Sequence, residues 1–151
     1  MLKYLETQQI LRIFAEKIRD MINIIKASEY KTKLKATIQA TGRLGFTEET
    51  SDKLDFSTQK YIKFAQDDAD SAMYMIVTDI DDNDAFKVCT SGKYYYLATQ
   101  YLFDALGFDY RNKTIMFDLT RMNELDIELN GIVYKMFKRE NARKMKEENK
   151  M

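Results

Sequence analysis

From Lys33 to Thr41 apolar and polar residues alternate: Leu34, Ala36, Ile38 and Ala40 fall between Lys33, Lys35, Thr37, Gln39 and Thr41. A period of two puts the four apolar side chains on one face and predicts a half-buried strand. The preceding stretch has a different period. Leu11, Phe14, Ile18, Ile22 and Ile25 follow helical spacing and predict a helix over residues 2–27. Ile10, Ile13, Met21 and Ile24 widen its apolar stripe beyond what packing on one sheet requires. Such a helix is either wholly buried within its own domain or buries one side there and offers the other to a second subunit.

Gly42 and Gly45 punctuate the chain after the first strand, and residues 47–58 are polar and acidic around Leu54 and Phe56. That composition predicts a long hairpin arm or exposed loop. Tyr61–Ala65 reads as a short strand, although Ile62, Ala65, Ala69 and Met73 also suit a helix, so 57–72 stays open between the two. Ala72–Ile80, Ala85–Thr90 and Lys93–Leu97 are apolar, β-branched and aromatic runs. Turn sequences at Asp81-Asp82-Asn83-Asp84 and Ser91-Gly92 separate them. A short helix over Ala98–Leu106, ended by Gly107, and a strand over Lys113–Leu119 follow. Leu125, Ile127, Leu129, Ile132, Val133, Met136 and Phe137 then predict a C-terminal helix over 122–150, weakened at Gly131 and ending in a solvated basic tail. The expected fold is α+β in a single domain spanning 1–151. Its β-rich middle, 33–119, is an antiparallel meander of five to six strands covered by the two terminal helices and the short one.

At 151 residues the chain is long enough to bury a core without disulfides. Its formal charges cancel, so bulk attraction to nucleic acid or anionic membrane is not implied. They are nevertheless sorted along the chain. Residues 1–45 net +5, residues 46–86 net −8, residues 87–131 net −1 and residues 132–151 net +4. Basic ends and an acidic middle suit complementary contacts between molecules.

Histidine is absent and Cys89 is the single cysteine, which excludes Ser-His-Asp or Cys-His catalysis within the chain and any His- or Cys-rich zinc site. With no base beside it, Cys89 reads as a buried, inert thiol inside a strand. No long apolar leader opens the chain and no apolar run approaches the length of a membrane span, so a cytoplasmic setting is expected. Asp79, Asp81 and Asn83 imitate the first ligand positions of an EF-hand loop, but Asp84 stands where glycine is needed and Thr90 where a bidentate glutamate is needed. The run reads as a solvated turn. Asp67, Asp68 and Asp70 form a second acidic run, and two-metal chemistry would require the two to converge. Ser28-x-x-Lys31 and Ser57-x-x-Lys60 match the Ser-x-x-Lys pattern of penicillin-recognising enzymes without that family's other elements. No catalytic residue, cofactor or metal is therefore expected. Tyr94 and Tyr96 share a strand face beside Lys93 and could stack on bases, but the acidic segment nearby in sequence argues against direct nucleic-acid binding.

A helix leading into an alternating strand and then Ala40-Thr41-Gly42-Arg43-Leu44 resembles the opening of phage tail-completion and neck proteins. In those proteins a helix precedes a T-G-x-L turn and a β arm. The resemblance spans residues 5–46, and the proline usual before the turn is absent. It implies a non-enzymatic head-to-tail connector subunit, assembled in the host cytoplasm into a virion ring and contacting itself or adjacent ring proteins. The interface residues expected are Leu11, Phe14, Ile18, Ile22, Ile25, Arg43, Asp67, Asp68 and Asp70. A small intracellular binding module, such as a secretion chaperone or an inhibitor of a host or rival protein, is the alternative. A nucleic-acid-binding accessory protein is a further one.

Overall fold

The alternation at 33–41 folds into β1 (Leu34–Ile38), with Leu34, Ala36 and Ile38 buried. The computed structural model describes residues 6–13, 22, 24, 25, 27 and 33–142. Two units divide the chain, Met1–Lys31 and Thr32–Met151. In the first, residues 6–13 are helical (α1), and Ile10, Leu11 and Ile13 are each more than half exposed. Ile22, Ile24 and Ile25 are exposed as well. Phe14, Ile18 and Met21 of the expected stripe lie outside the described residues, as does the tail from residue 143.

The second unit continues with β2 (Leu44–Phe46), α2 (Glu48–Lys53), β3 (Tyr61–Gln66), β4 (Met73–Thr78), β5 (Phe86–Lys87), β6 (Cys89–Ser91) and β7 (Tyr94–Leu97). Then come α3 (Gln100–Ala105), β8 (Lys113–Arg121), a 3-10 turn (Asn123–Leu125), α4 (Asp126–Leu129) and β9 (Ile132–Ala142). The strands form one antiparallel sheet in the order β5-β3-β4-β9-β8-β1-β2-β7-β6. Its two outermost strands are successive pieces of one chain segment. β5 pairs with β3 and β6 pairs with β7, and only Val88 separates them. Val88 is buried; its N–H donates to the Lys60 carbonyl at 3.1 Å and its carbonyl accepts from Gln59 Nε2 at 3.1 Å. Residues 86–91 thus act as one kinked stave that brings the sheet's edges together into a nearly closed barrel.

This architecture overturns the expected α+β meander under long helices. Asn130 adopts a left-handed φ of 53°, α4 stops there, and the expected C-terminal helix is replaced by the eleven-residue β9. β9 lies between β4 and β8, and at its start both faces are covered: Val133 and Tyr134 are buried in succession. Double burial erases the alternation that marks a strand. The acidic segment 81–84 is not a hairpin turn either, because β3 lies between β4 and β5. Residues 47–58 are not an exposed arm; α2 starts at a Thr47 cap, and Leu54 and Phe56 are buried. Ser91-Gly92 does make the expected hairpin. Ser91 pairs with Tyr94 across Gly92-Lys93, with Gly92 at φ 63°.

The core lies inside the barrel, and both ends are plugged. Phe56 packs edge-on against Phe46 at 5.0 Å, below Tyr95. At the other end Phe103 of α3 meets Phe64, Phe108 and Phe117. A barrel of about eight staves has an interior that side chains can just fill. Two buried threonines fasten the β1–β2 hairpin to these plugs. Lys35 N–H donates to Thr50 Oγ1 at 2.8 Å, and Leu44 N–H donates to Thr99 Oγ1 at 3.0 Å. Gly42, at φ 88°, allows the close approach of α3, since a Cβ there would meet Gln100 Cβ at 2.8 Å. Among the described residues no helix is long and apolar enough to cross a membrane.

Candidate functional site

On β7, Tyr95 and Leu97 turn inward to the core while Tyr94 and Tyr96 stand on the outer face. The two outer rings lie nearly parallel, 17° apart in plane with centroids separated by 6.2 Å. The Arg43 guanidinium sits 4.4 Å above the Tyr96 ring, and Gln39 Nε2 donates to Tyr94 Oη. Burial pushes the Tyr94 phenol above its ordinary pKa, more than the Gln39 bond and the nearby Arg43 charge pull it down. Gly45 of β2 makes the arrangement possible: a Cβ at that position would run into the Tyr94 phenol, with Cζ only 2.5 Å away. Arg43, expected at an interface, is exposed and belongs to this cluster.

A second feature lies at the α2 end of the barrel. An open cleft of about 440 Å³ is lined by Leu54, Lys60, Val77, Asp79, Ile80 and Ile132, among others. Lys60 Nζ bridges to Asp79 at 2.5 Å, and Lys63 pairs with Asp82. The Lys63 ammonium, helped by the Asp84 N–H, holds the Asp82 carboxyl below its usual range. Ile80 and Ile132 are exposed on this cleft.

The acidic runs do not converge. Asp67, Asp68 and Asp70 occupy the exposed loop joining β3 to β4, where Asp67 and Asp70 accept from the Ala69 and Ala72 N–H groups at 2.8 and 2.9 Å. Residues 79–84 leave the far end of β4. Antiparallel pairing therefore separates the runs by the length of a six-residue strand, about 17–20 Å. The described residues hold no cluster of three or more His, Cys, Asp or Glu side chains arranged for a metal. Ser57 donates to Asp55 while Lys60 pairs with Asp79, so this Ser-x-x-Lys match makes no Ser–Lys pair; Ser28 and Lys31 lie outside the described residues. Cys89 is partly exposed on β6, its thiol directed at the Lys87 carbonyl. Leu11, Ile22 and Ile25 of the expected apolar interface are exposed.

The chain matches no known family model, curated protein or solved structure. The Arg43–Tyr96 and Gln39–Tyr94 contacts link strands far apart in sequence, and only the Tyr94-x-Tyr96 spacing hinted at them.

Proposed function

We propose that the protein is a non-enzymatic assembly protein, a ring subunit at the head-to-tail junction of a phage particle, joining copies of itself or adjoining ring proteins. The observation that carries the reading is the N-terminal unit, where six large apolar residues, Ile10, Leu11, Ile13, Ile22, Ile24 and Ile25, are all exposed. Large exposed apolar surface marks interaction sites in soluble proteins. The sorted charges support it, because heterologous ring contacts join unlike surfaces and opposite potentials disfavour wrong pairings. Exposed ion pairs contribute about 0–1 kcal/mol each and are screened within about 8 Å at physiological salt. Charge therefore sets register and on-rate, while apolar burial holds the contact.

Size-exclusion chromatography with light scattering on the full chain, at tens of micromolar and from low to high salt, tests the reading. Self-association is expected, with salt slowing assembly more than it loosens formed oligomers. Replacing Asp67, Asp68 and Asp70 with lysine is expected to impair association while leaving the barrel folded. A strict monomer at every salt concentration overturns self-assembly in solution.

A further inference from the structure

The four consecutive strands β1, β2, β7 and β6, with their turns, come from residues 33–46 and 89–99. Those two stretches contain Lys33, Lys35, Arg43 and Lys93 and not one Asp or Glu. The acidic residues between 67 and 84 flank β3 and β4. With β5 and β6 counted as one stave, β3 and β4 stand across the circuit from β1 and β2. Proximity in sequence had set acidic residues against this face; the fold removes most of them to the opposite wall. Those that remain near are on neighbouring elements. Asp118 on β8 is occupied by Lys33 at 3.4 Å and Arg139 at 2.9 Å, and Glu48 and Asp52 of α2 border a cleft beside Lys93 and Tyr94.

In the middle of this basic wall lie the parallel Tyr94 and Tyr96 rings, with Arg43 above Tyr96. Parallel aromatic rings on an outward strand face, with cations alongside, are how sheet proteins hold unstacked bases and their phosphates. Duplexes keep their bases stacked away from such a surface. We propose that this face binds single-stranded nucleic acid, with Tyr96 and Tyr94 stacking on bases and Arg43 and Lys35 holding the backbone. Glu48 and Asp52 bound the track at the Tyr94 end, so the strand passes over Tyr96 toward the Arg43 turn. Nucleic-acid binding of this kind is independent of self-association.

Fluorescence anisotropy of the full chain with a labelled thymidine oligomer of about 12 nucleotides, starting at about 50 mM salt, tests the proposal. Binding is expected, falling as salt rises with a log–log slope of about −0.7 for each phosphate contacted. Tyr96→Ala weakens binding by about fivefold or more, whereas Tyr96→Phe keeps the stacking face and retains it. Arg43→Glu weakens binding and flattens the salt slope. Lys135→Glu, which removes a cation from β9 across the barrel, does neither. Circular dichroism verifies that each variant is folded. No salt-sensitive binding by the wild-type protein overturns the proposal. So does an equal loss from Lys135→Glu and Arg43→Glu, or full binding by Tyr96→Ala.

Discussion

Replacing Asp126 with asparagine removes a charge while changing little of the volume, and so tests what ties the end of β8 to the start of β9. The Asp126 carboxylate accepts from Arg121 Nη1 at 2.6 Å, Arg121 Nη2 at 2.5 Å and the Val133 N–H at 3.0 Å. Arg121 Nη1 also donates to the Val133 carbonyl at 3.3 Å. These bonds tie the last residue of β8 to the start of β9 across the intervening turn. The side chains are only 13% and 28% exposed, so solvent screens the pair weakly. Hydrogen bonds to charged groups contribute about 1.5–3 kcal/mol, and losing one partner strands the other, so Asp126→Asn should cost about 2–3 kcal/mol. For a unit of this size that lowers Tm by about 6–15 °C. Burial pushes the Asp126 carboxyl up, but the Arg121 pair and the Val133 N–H outweigh it, leaving its pKa lowered. A depressed folded pKa contributes stability that is full above the unfolded carboxylate value of about 3.9 and is lost as pH falls through the folded value. The gap between wild type and variant should therefore be complete at pH near 7 and narrow below about pH 4. Urea unfolding followed by circular dichroism near pH 7 and near pH 3 measures both. A variant within about 0.5 kcal/mol of wild type at neutral pH, or a gap that widens on acidification, would refute the reasoning.

Gly45→Ala drives a methyl into the Tyr94 phenol and should cost about 1–3 kcal/mol, most of it recovered in the Gly45→Ala, Tyr94→Ala double variant; thermal melting of the set checks this. Val88→Asp buries a carboxylate at the seam where residues 86–91 join the sheet's edges, and loss of the cooperative melting transition is expected. Phe103→Ala empties the centre of the aromatic plug beside α3 and should cost about 3–5 kcal/mol in urea unfolding.

Local pattern was legible at several elements with one face in water. The alternation at 34–38 and the Ser91-Gly92 turn both correspond to structure, as does the Gly107 cap after α3, where φ is 76°. Periodicity misled at β9, because Val133 and Tyr134 are both buried and the spacing of Leu129, Ile132, Val133 and Met136 satisfies a helix equally well. The sheet order was invisible for another reason. Nothing local says that residues 81–84 pass β3, or that Phe86–Lys87 and Cys89–Ser91 serve opposite edges of one sheet; long-range pairing decides both. The outer tyrosine cluster was half legible. The Tyr94-x-Tyr96 spacing puts two rings on one face, but Arg43 and the acid-free wall around them emerge only when β1, β2, β7 and β6 stand side by side.

The central claim is that exposed apolar residues of the N-terminal unit hold copies of the protein together. Sedimentation velocity on the full chain, comparing wild type with the Leu11→Ser, Ile22→Ser, Ile25→Ser variant at the same concentration, tests it most directly. An associating wild type and a monomeric variant that keeps a cooperative melting transition are expected, because all three substituted residues are exposed. A wild type that sediments as a monomer, or a variant that associates as strongly as wild type, contradicts it.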